Sequence, residues 1–519
     1  MTAPNQPGIA PGVASIVDGL AHFAALQPER PAYIDAQGSV TYGALYVAAR
    51  RGAAWLAQQG VRAGDTVALP LDTHPAIARQ AMEMLYAIAY VGAATLPLYP
   101  EVPLELRVAQ IGQGAANWLI ASGSAPEVAG ARTLDPRSFA AADPRYDAQP
   151  APRGDRADAP ALFLFTSGTT GSAKYMLPTH QQLYGNVYAS ARAIGSDAGD
   201  RLMSAIPWPS GVGMRYLLRA HAVGAAFVAI PLGETRTALS SILTQYQVTQ
   251  IALSPWQLRR LLQSPAPPQP LPPLRTAHLI GDFISAEELG VARALISPNV
   301  IIGYGCYEIG AATVLGAADP LPAYGCVGRL VPGMEARVTG AQGELLAPGE
   351  TGELAYRAAW MCTGYPGSPE ATRERFRDGW FYPGDIGSID AAGFVTLRGR
   401  TQEVINYGGL KIWPGDIESI LKQHPDVLDA ALVGMPDAQA GQIPTAFLVP
   451  RTPLNQQLGA SLSDEALRAF CATRIDASRI PPVFVAVAEI PRNESDKIMR
   501  DALIAAYQQA REIMRGRRG

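Results

Sequence analysis

Apolar and polar positions alternate along this chain with two periods, and each period marks a type of element. Ala44 to Leu56 repeats its apolar residues at helical spacing, and Thr66-Val67-Ala68-Leu69 then makes a short run suited to a buried strand. Across residues 14–122 this alternation predicts an α/β architecture. From Met84 to Pro100 no charge appears, but Gly92, Pro97 and Pro100 interrupt the run and Glu83 borders it. It reads as a buried helix leading into a core strand, with no membrane span. Ser122 to Pro160 loses periodicity, as a surface connection does, and the prolines between Ser264 and Pro273 predict an extended exposed link.

Phe227 to Ile230 and Val300 to Ile302 read as further buried strands. From Gly325 to Arg400 glycines, prolines and short alternating runs dominate, which predicts a β-rich subdomain. A boundary is expected near Arg400 to Glu403. Beyond it Ile417, Ile420 and Leu421 share one helical face, Ala430 to Val433 and Phe447 to Val449 read as strands, and Leu467, Phe470 and Cys471 mark another helix. The expected fold is therefore α/β. It has a large N-terminal domain, residues 1–400, that includes a β-rich subdomain over about 325–400, and a small α+β C-terminal domain, residues 401–519.

Composition narrows the function classes. A chain of 519 residues exceeds one typical core. A formal net charge of -3 supplies no global basic field for nucleic acid. Arg511, Arg515, Arg517 and Arg518 read as cations closing a C-terminal helix. The four cysteines form no C-x-x-C pair, which fits a reducing compartment and no zinc site. Met1 to Gly12 lacks the basic-then-apolar order of a signal peptide, so a cytoplasmic location is expected.

Candidate chemistry begins after the apolar run Ala161 to Phe165, where Thr166, Ser167, Gly168, Thr169, Thr170, Gly171, Ser172, Ala173 and Lys174 follow in turn. Glycines let backbone N–H groups turn toward an anion, hydroxyls add donors and Lys174 adds a positive charge, so polyphosphate suits the loop. Only two residues separate Gly171 from Lys174, which is not the spacing of the G-x-x-x-x-G-K-[ST] nucleotide loop. The bland alternative is an ordinary polar turn. Glu308, at the C-terminal end of the Val300 strand, could hold Mg²⁺ or simply open a helix. Asp385, between Gly384 and Ile386-Gly387, could accept from a ribose diol, and Arg400 could reach the same sugar. Lys497 sits in the polar loop Pro491 to Lys497 and is either a surface lysine or a mobile charge serving a second domain.

Taken in order and spacing, the loop 166–174, Tyr304 to Glu308, Gly384 to Gly387, Gly399-Arg400, Gly409 to Glu418 and Pro491 to Lys497 resemble the motifs of the adenylate-forming superfamily. That family holds acyl- and aryl-CoA synthetases, adenylation domains of peptide synthetases and beetle luciferases. The resemblance implies a two-step ligase: a carboxylate attacks the α-phosphate of ATP, and a thiol then attacks the acyl carbon of the adenylate. It implies that Thr166 to Gly171 and Lys174 hold the phosphates and Glu308 holds Mg²⁺. Tyr304, Asp385 and Arg400 would contact the nucleotide, and Tyr307 and Lys497 would act in adenylation. It also implies a mobile C-terminal domain with Gln402 at the hinge and Gly408 and Gly409 at the thiol entrance.

The implied acid pocket comprises Trp208, Ser210, Gly211, Gly213, Gly281, Gly303, Gly305 and Cys306. Plain core packing is the alternative for Trp208. The implied acceptor is CoA, or the phosphopantetheine of an acyl or aryl carrier protein. No acid occurs from Arg201 to Ile230, so an α-amino acid would leave its ammonium unpaired, and an apolar aryl or medium-sized acyl acid fits better. Gly305 suggests room for an acid larger than acetate. Tyr307 in place of the family's threonine, Tyr175 in place of a glycine and Gln402 at the hinge are departures. They keep open a degenerate homologue that binds without turnover, beside a stand-alone adenylation enzyme and an ADP-forming phosphotransferase.

Overall fold

The computed structural model describes residues 12–72, 74–99, 102–121, 130–136, 146–147, 153–165, 174–206, 208, 210–231, 235–263, 274–281, 284–320, 325–452, 462–492 and 498–516. Among them fifteen strands form one continuous sheet. Six of them are parallel: Pro31–Asp35, Ala226–Val228, Arg201–Ser204, Gln250–Leu253, Thr276–Ile280 and Val300–Cys306 run side by side. The rest pair antiparallel, Gly38–Thr41 at one edge and the others in a run that begins at Gly310–Leu315. The β-rich stretch expected over 325–400 continues this same sheet through Cys326–Leu330, Phe394–Arg400, Asp385–Ile389 and Gly352–Arg357.

Val300–Cys306 is thus the strand at which the sheet changes character, parallel to one neighbour and antiparallel to the other. Ligands of open α/β sheets bind where strand order changes, at the carboxyl ends.

The helices form where the apolar period predicts and end where local chemistry stops them. Tyr42–Gln59 is capped by the Thr41 hydroxyl, which accepts from Ala44 N at 3.2 Å, and it closes on Gly60 at φ 102°. The uncharged run is the helix Pro75–Val91 followed by the strand Ala94–Leu98, whose five residues are all buried. Between them Gly92 is obligatory, because at φ 82° a Cβ would stand 2.1 Å from the Gly154 carbonyl oxygen. These helices join Ile16–Leu26 and Gly211–Ala222 in one apolar core. Within the aperiodic stretch 122–160 the strand Arg132–Leu134 extends a separate four-stranded parallel sheet, and three residues are too few to leave a readable period.

The small domain is built on a second mixed sheet of Leu410–Ile412, Ile405–Tyr407, Gly441–Pro450, Val427–Asp437 and Val483–Ala486. The strand Val427–Asp437, at the edge of this sheet beside Gly441–Pro450, is apolar at every position from Ala430 to Val433 because both of its faces are covered. Ala430 and Leu432 pack toward Pro414–Leu421 and Asp464–Ala472, whereas Ala431 and Val433 pack toward the terminal helix Arg500–Gly516. Ion pairs Arg398–Asp416 at 3.7 Å and Arg500–Glu403 at 3.8 Å tie the region around residue 400 to this domain. Among the described residues no helix is long and apolar enough to cross a membrane.

Candidate active site

The site is assembled at the C-terminal end of Val300–Cys306. Tyr304 donates its hydroxyl proton to Asp385 Oδ2, and the Arg400 Nε lies 3.3 Å from Oδ1 of the same carboxylate. Asp385 and Arg400 face each other because they are register partners at the ends of adjacent antiparallel strands. Burial, then the Asp385 charge, lifts the Tyr304 phenol well above its ordinary range, so it stays a donor. Burial opposes the Arg400 cation, but Asp385 and Glu403 more than offset it and raise its pKa.

Two residues farther along, Glu308 is buried and its Oε1 accepts from the Tyr365 hydroxyl at 2.8 Å. The ring of the same tyrosine lies under Lys174, with Nζ 5.9 Å from its centroid. Tyr365 thereby brings the loop lysine and the strand-end carboxylate together across 134 residues of sequence. Burial and then Glu308 raise the neighbouring Cys306 thiol well above its ordinary value, which keeps it protonated and unreactive. Lys174 is the first described residue after the loop, at the foot of a hairpin in which Leu164 pairs with Met176 and Phe165 with Tyr175. Tyr175 packs its ring against Phe163 at 5.1 Å and Phe165 at 5.9 Å, which accounts for an aromatic residue there.

The remaining pocket candidates divide by what they touch. Ser210 caps the helix Gly211–Ala222 by accepting from Gly213 N at 3.1 Å. A Cβ on Gly211 would stand 2.8 Å from the Tyr307 hydroxyl, so the phenol lies across that helix N-terminus and fills space a smaller side chain would leave. Gly281 lines a cavity of about 490 Å³ between the domains, with Val212 and Ile280 on one side and Leu428 and Ile490 on the other. A Cβ on Gly303 would strike His278 Nε2 at 2.1 Å. At Gly305 it would meet the Gly310 carbonyl oxygen at 1.9 Å, beside a shift in the strand register. Both glycines are therefore required by close packing of their neighbours. Trp208 is buried in the core, its indole donating to the Tyr33 hydroxyl at 3.1 Å. Gln402 is exposed in a short 3-10 turn, and Gly408 and Gly409, at φ 58° and 90°, form the exposed two-residue turn between Ile405–Tyr407 and Leu410–Ile412.

Thr166 to Ala173 and Asn493 to Lys497 lie outside the described residues, and the roles expected of Thr166, Ser167, Gly168, Thr169, Thr170, Gly171 and Lys497 fall there with them. Just before the second segment, Arg492 donates to Asp429 Oδ2 at 2.7 Å, and Lys422 Nζ is 3.1 Å from Oδ1. Sequence reading missed this anchor, as it missed Tyr365, because each joins residues with no fixed spacing. It also missed Arg215 and Arg219, although two cations four residues apart in an apolar helix were a visible signal. Arg215 donates to Asn186 Oδ1 at 2.6 Å and lies over the Tyr307 ring at 5.1 Å. Burial, then Arg219, pushes its guanidinium down to about 10.

Comparison with known proteins places this geometry among relatives. The family model described as AMP-binding enzyme matches residues 20–366, and the AMP-binding enzyme C-terminal domain matches residues 416–497. A 2-succinylbenzoate–CoA ligase of Geobacillus sp. (strain WCH70) is 28% identical over 94% of this chain and 97% of its own. The 4-coumarate–CoA ligase-like 4 of Oryza sativa subsp. japonica is 31% identical over 86% of this chain and 80% of its own. Among solved structures, the o-succinylbenzoate coenzyme A synthetase MenE from Bacillus subtilis, in complex with ATP and magnesium ion, superposes with a TM-score of 0.77. It is 26% identical, and the match covers 93% of this chain and 98% of MenE.

Proposed function

We infer the reaction from one premise: this chain belongs to the AMP-binding enzyme family. It is an AMP-forming acid–thiol ligase that activates a small-molecule carboxylic acid with ATP. In the first half-reaction a carboxylate oxygen of the acid bonds to the α-phosphorus, and pyrophosphate leaves. In the second a thiolate bonds to the acyl carbon, and AMP leaves as the thioester forms. The observation that supports our assignment of residues most directly is the convergence at Tyr365, which holds Lys174 against its ring and Glu308 by its hydroxyl.

In this reading the loop 166–174 and Lys174 hold the β- and γ-phosphates, and Asp385, oriented by Tyr304 and Arg400, accepts from the ribose hydroxyls. Attack at phosphorus needs positioning and charge neutralisation more than covalent help, which is what such groups provide. Glu308 is a hard carboxylate with acceptor capacity beyond its bond to Tyr365, a donor that fits Mg²⁺. The ion supplies neutralisation of phosphate charge when bound. Lys497 brings a cation to the attacking carboxylate and α-phosphate from the small domain, Gln402 lies at the hinge, and Gly408 and Gly409 approach the thiol. Residues 1–400 form the adenylating domain and 401–519 the mobile one.

The acid is read as an aryl or medium-sized acyl acid: Val212, Ile280, Leu428 and Ile490 give the interdomain cavity an apolar wall, beside a charged rim of Arg259, Arg260, Asp429, Glu489 and Arg492. The acceptor is CoA, the thiol named for the relatives; a carrier-protein phosphopantetheine ends in the same thiol and is the second candidate. We propose a cytoplasmic location, a compartment that supplies both ATP and CoA. ATP–pyrophosphate exchange over a panel of benzoates, cinnamates, straight-chain acids and amino acids tests the reading. Exchange with one class of acid, followed by AMP release on adding CoA, is expected. ADP as product, or nucleotide binding without exchange for any acid, would refute it.

A further inference from the structure

Arg215 and Arg219 lie on the helix Gly211–Ala222, in its buried part, 7% and 8% exposed. Neither forms an ion pair with a carboxylate among the described residues, and no acid occurs from Arg201 to Ile230. Arg215 spends its donors on neutral acceptors, Asn186 Oδ1 at 2.6 Å and the Cys306 carbonyl at 3.4 Å. Arg219 lies over the Tyr216 ring at 4.6 Å, and its buried Nε has no hydrogen-bond partner. The adjacent His278, whose Nδ1 is 2.6 Å from the Tyr216 hydroxyl, is pushed down to about 3 by burial and then by Arg219, so it adds no charge of its own. Two like charges at i and i+4 repel, and burying cations without a counter-ion is costly. A purely structural role would be served as well by leucine or methionine.

Where this charge points follows from the helix. Val212, which lines the interdomain cavity, Arg215 and Arg219 stand at i, i+3 and i+7 and so share one face. Tyr307 lies between them and the helix N-terminus, with its hydroxyl at Gly211 and its ring under Arg215. Tyr307 thus connects the cavity end of the helix to Arg215, and through it to Arg219 one turn farther on. Arg215 is four residues beyond Gly211, about 6 Å along the axis at 1.5 Å per residue.

We propose that Arg215 and Arg219 form an anion subsite that selects acids carrying a second negative group, a carboxylate or sulfonate, at the end remote from the carboxyl that is adenylated. The proposal rests on the ligase reading above and deepens it. The apolar wall receives the body of the acid, and the arginine pair receives its far end. A bidentate guanidinium contact suits the planar carboxylate and also the tetrahedral sulfonate.

The test compares acids of matched skeleton: terephthalate against benzoate, adipate against hexanoate, and 4-sulfobenzoate against benzoate. ATP–pyrophosphate exchange is measured for the full chain, and isothermal titration calorimetry measures binding of the same acids without nucleotide. Wild type is expected to favour the dianionic member at least tenfold in kcat/KM and in Kd. Arg219→Met and Arg215→Met are each expected to reduce that ratio at least tenfold, while Arg219→Lys keeps part of it. Melting temperatures of the Met variants should not fall, because each removes an uncompensated buried charge; this readout separates recognition from a packing role. Carboxylate and sulfonate pairs that respond alike indicate selection by charge, whereas a response to one alone identifies the source.

Exchange that favours the monoanionic acids, with a ratio unmoved in both Met variants, overturns the subsite and leaves the ligase standing. Arginine-dependent binding of dianionic acids without exchange overturns the ligase reading and supports the subsite. Neither exchange nor arginine-dependent binding overturns both.

Discussion

Asp429 is the joint on which the segment leading to Lys497 hangs, and its loss has a calculable cost. Its carboxylate is 18% exposed and meets Arg492 at 2.7 Å and Lys422 at 3.1 Å. Burial alone would raise its pKa, but Lys422 and Arg492 outweigh burial and lower it from the ordinary 3.8 to about 2. At about 1.4 kcal/mol per pKa unit, that difference corresponds to roughly 2.5 kcal/mol of stability. The folded-state pKa is depressed, so the contribution is complete above pH 3.8 and is lost as the pH falls through about 2. Asp429→Asn also leaves two cations half-paired, which raises the cost at neutral pH toward 3–5 kcal/mol on the scale of broken buried pairs, about 3–5 kcal/mol.

Hydrogen–deuterium exchange of the strands Val427–Asp437 and Gly441–Pro450 at pH 7 reads this locally. Protection in Asp429→Asn should fall roughly 150- to 5,000-fold, because that 3–5 kcal/mol governs opening of the small domain. Urea midpoints of wild type and variant should converge between pH 4 and pH 2. Adenylation should slow as the Arg492 anchor loosens, while thioester formation from supplied acyl-adenylate is retained. Unchanged protection at pH 7, or a difference between the proteins that persists undiminished at pH 2, would refute the reasoning.

Lys497→Ala should abolish ATP–pyrophosphate exchange by a factor on the order of 10²–10³ yet leave thioester formation from supplied acyl-adenylate intact, as expected for a charge used in one half-reaction only. Tyr365→Phe removes the donor to Glu308 but keeps the ring under Lys174. On the scale of a hydrogen bond to a charged group, about 1.5–3 kcal/mol, it should lower kcat/KM for ATP about 10- to 150-fold, checked by steady-state pyrophosphate release. Gly303→Ala places a methyl group where His278 Nε2 already stands, and should lower the thermal midpoint and soluble yield.

The repetition of apolar residues in 14–122 was enough to foresee the helix Tyr42–Gln59 and the strand Thr66–Pro70, because a single buried face leaves its period in the sequence. The same logic found Pro414–Leu421 and the strand Val427–Asp437. It failed at Arg132–Leu134, too short to carry a period, and it stopped short of showing that residues 325–400 extend the large sheet. Strand pairing joins residues far apart in the chain, and hydrogen bonds along an edge leave no signature of which edge is met.

The sequence by itself determined the family's ordered motifs, and with them the candidates Lys174, Glu308, Asp385 and Arg400, because each motif is a short run of fixed residue types. Only the tertiary structure decided what those residues lean on. Tyr365 joins Lys174 to Glu308, Tyr304 and Arg400 close on Asp385, and Gly303 and Gly305 are small because His278 and Gly310 press on them. It also turned Arg215 and Arg219 from two letters in an apolar helix into a buried pair, Arg215 over the Tyr307 ring and Arg219 over that of Tyr216. A charge has no burial until the chain has closed around it, and its energetic cost, which makes it informative, exists only then.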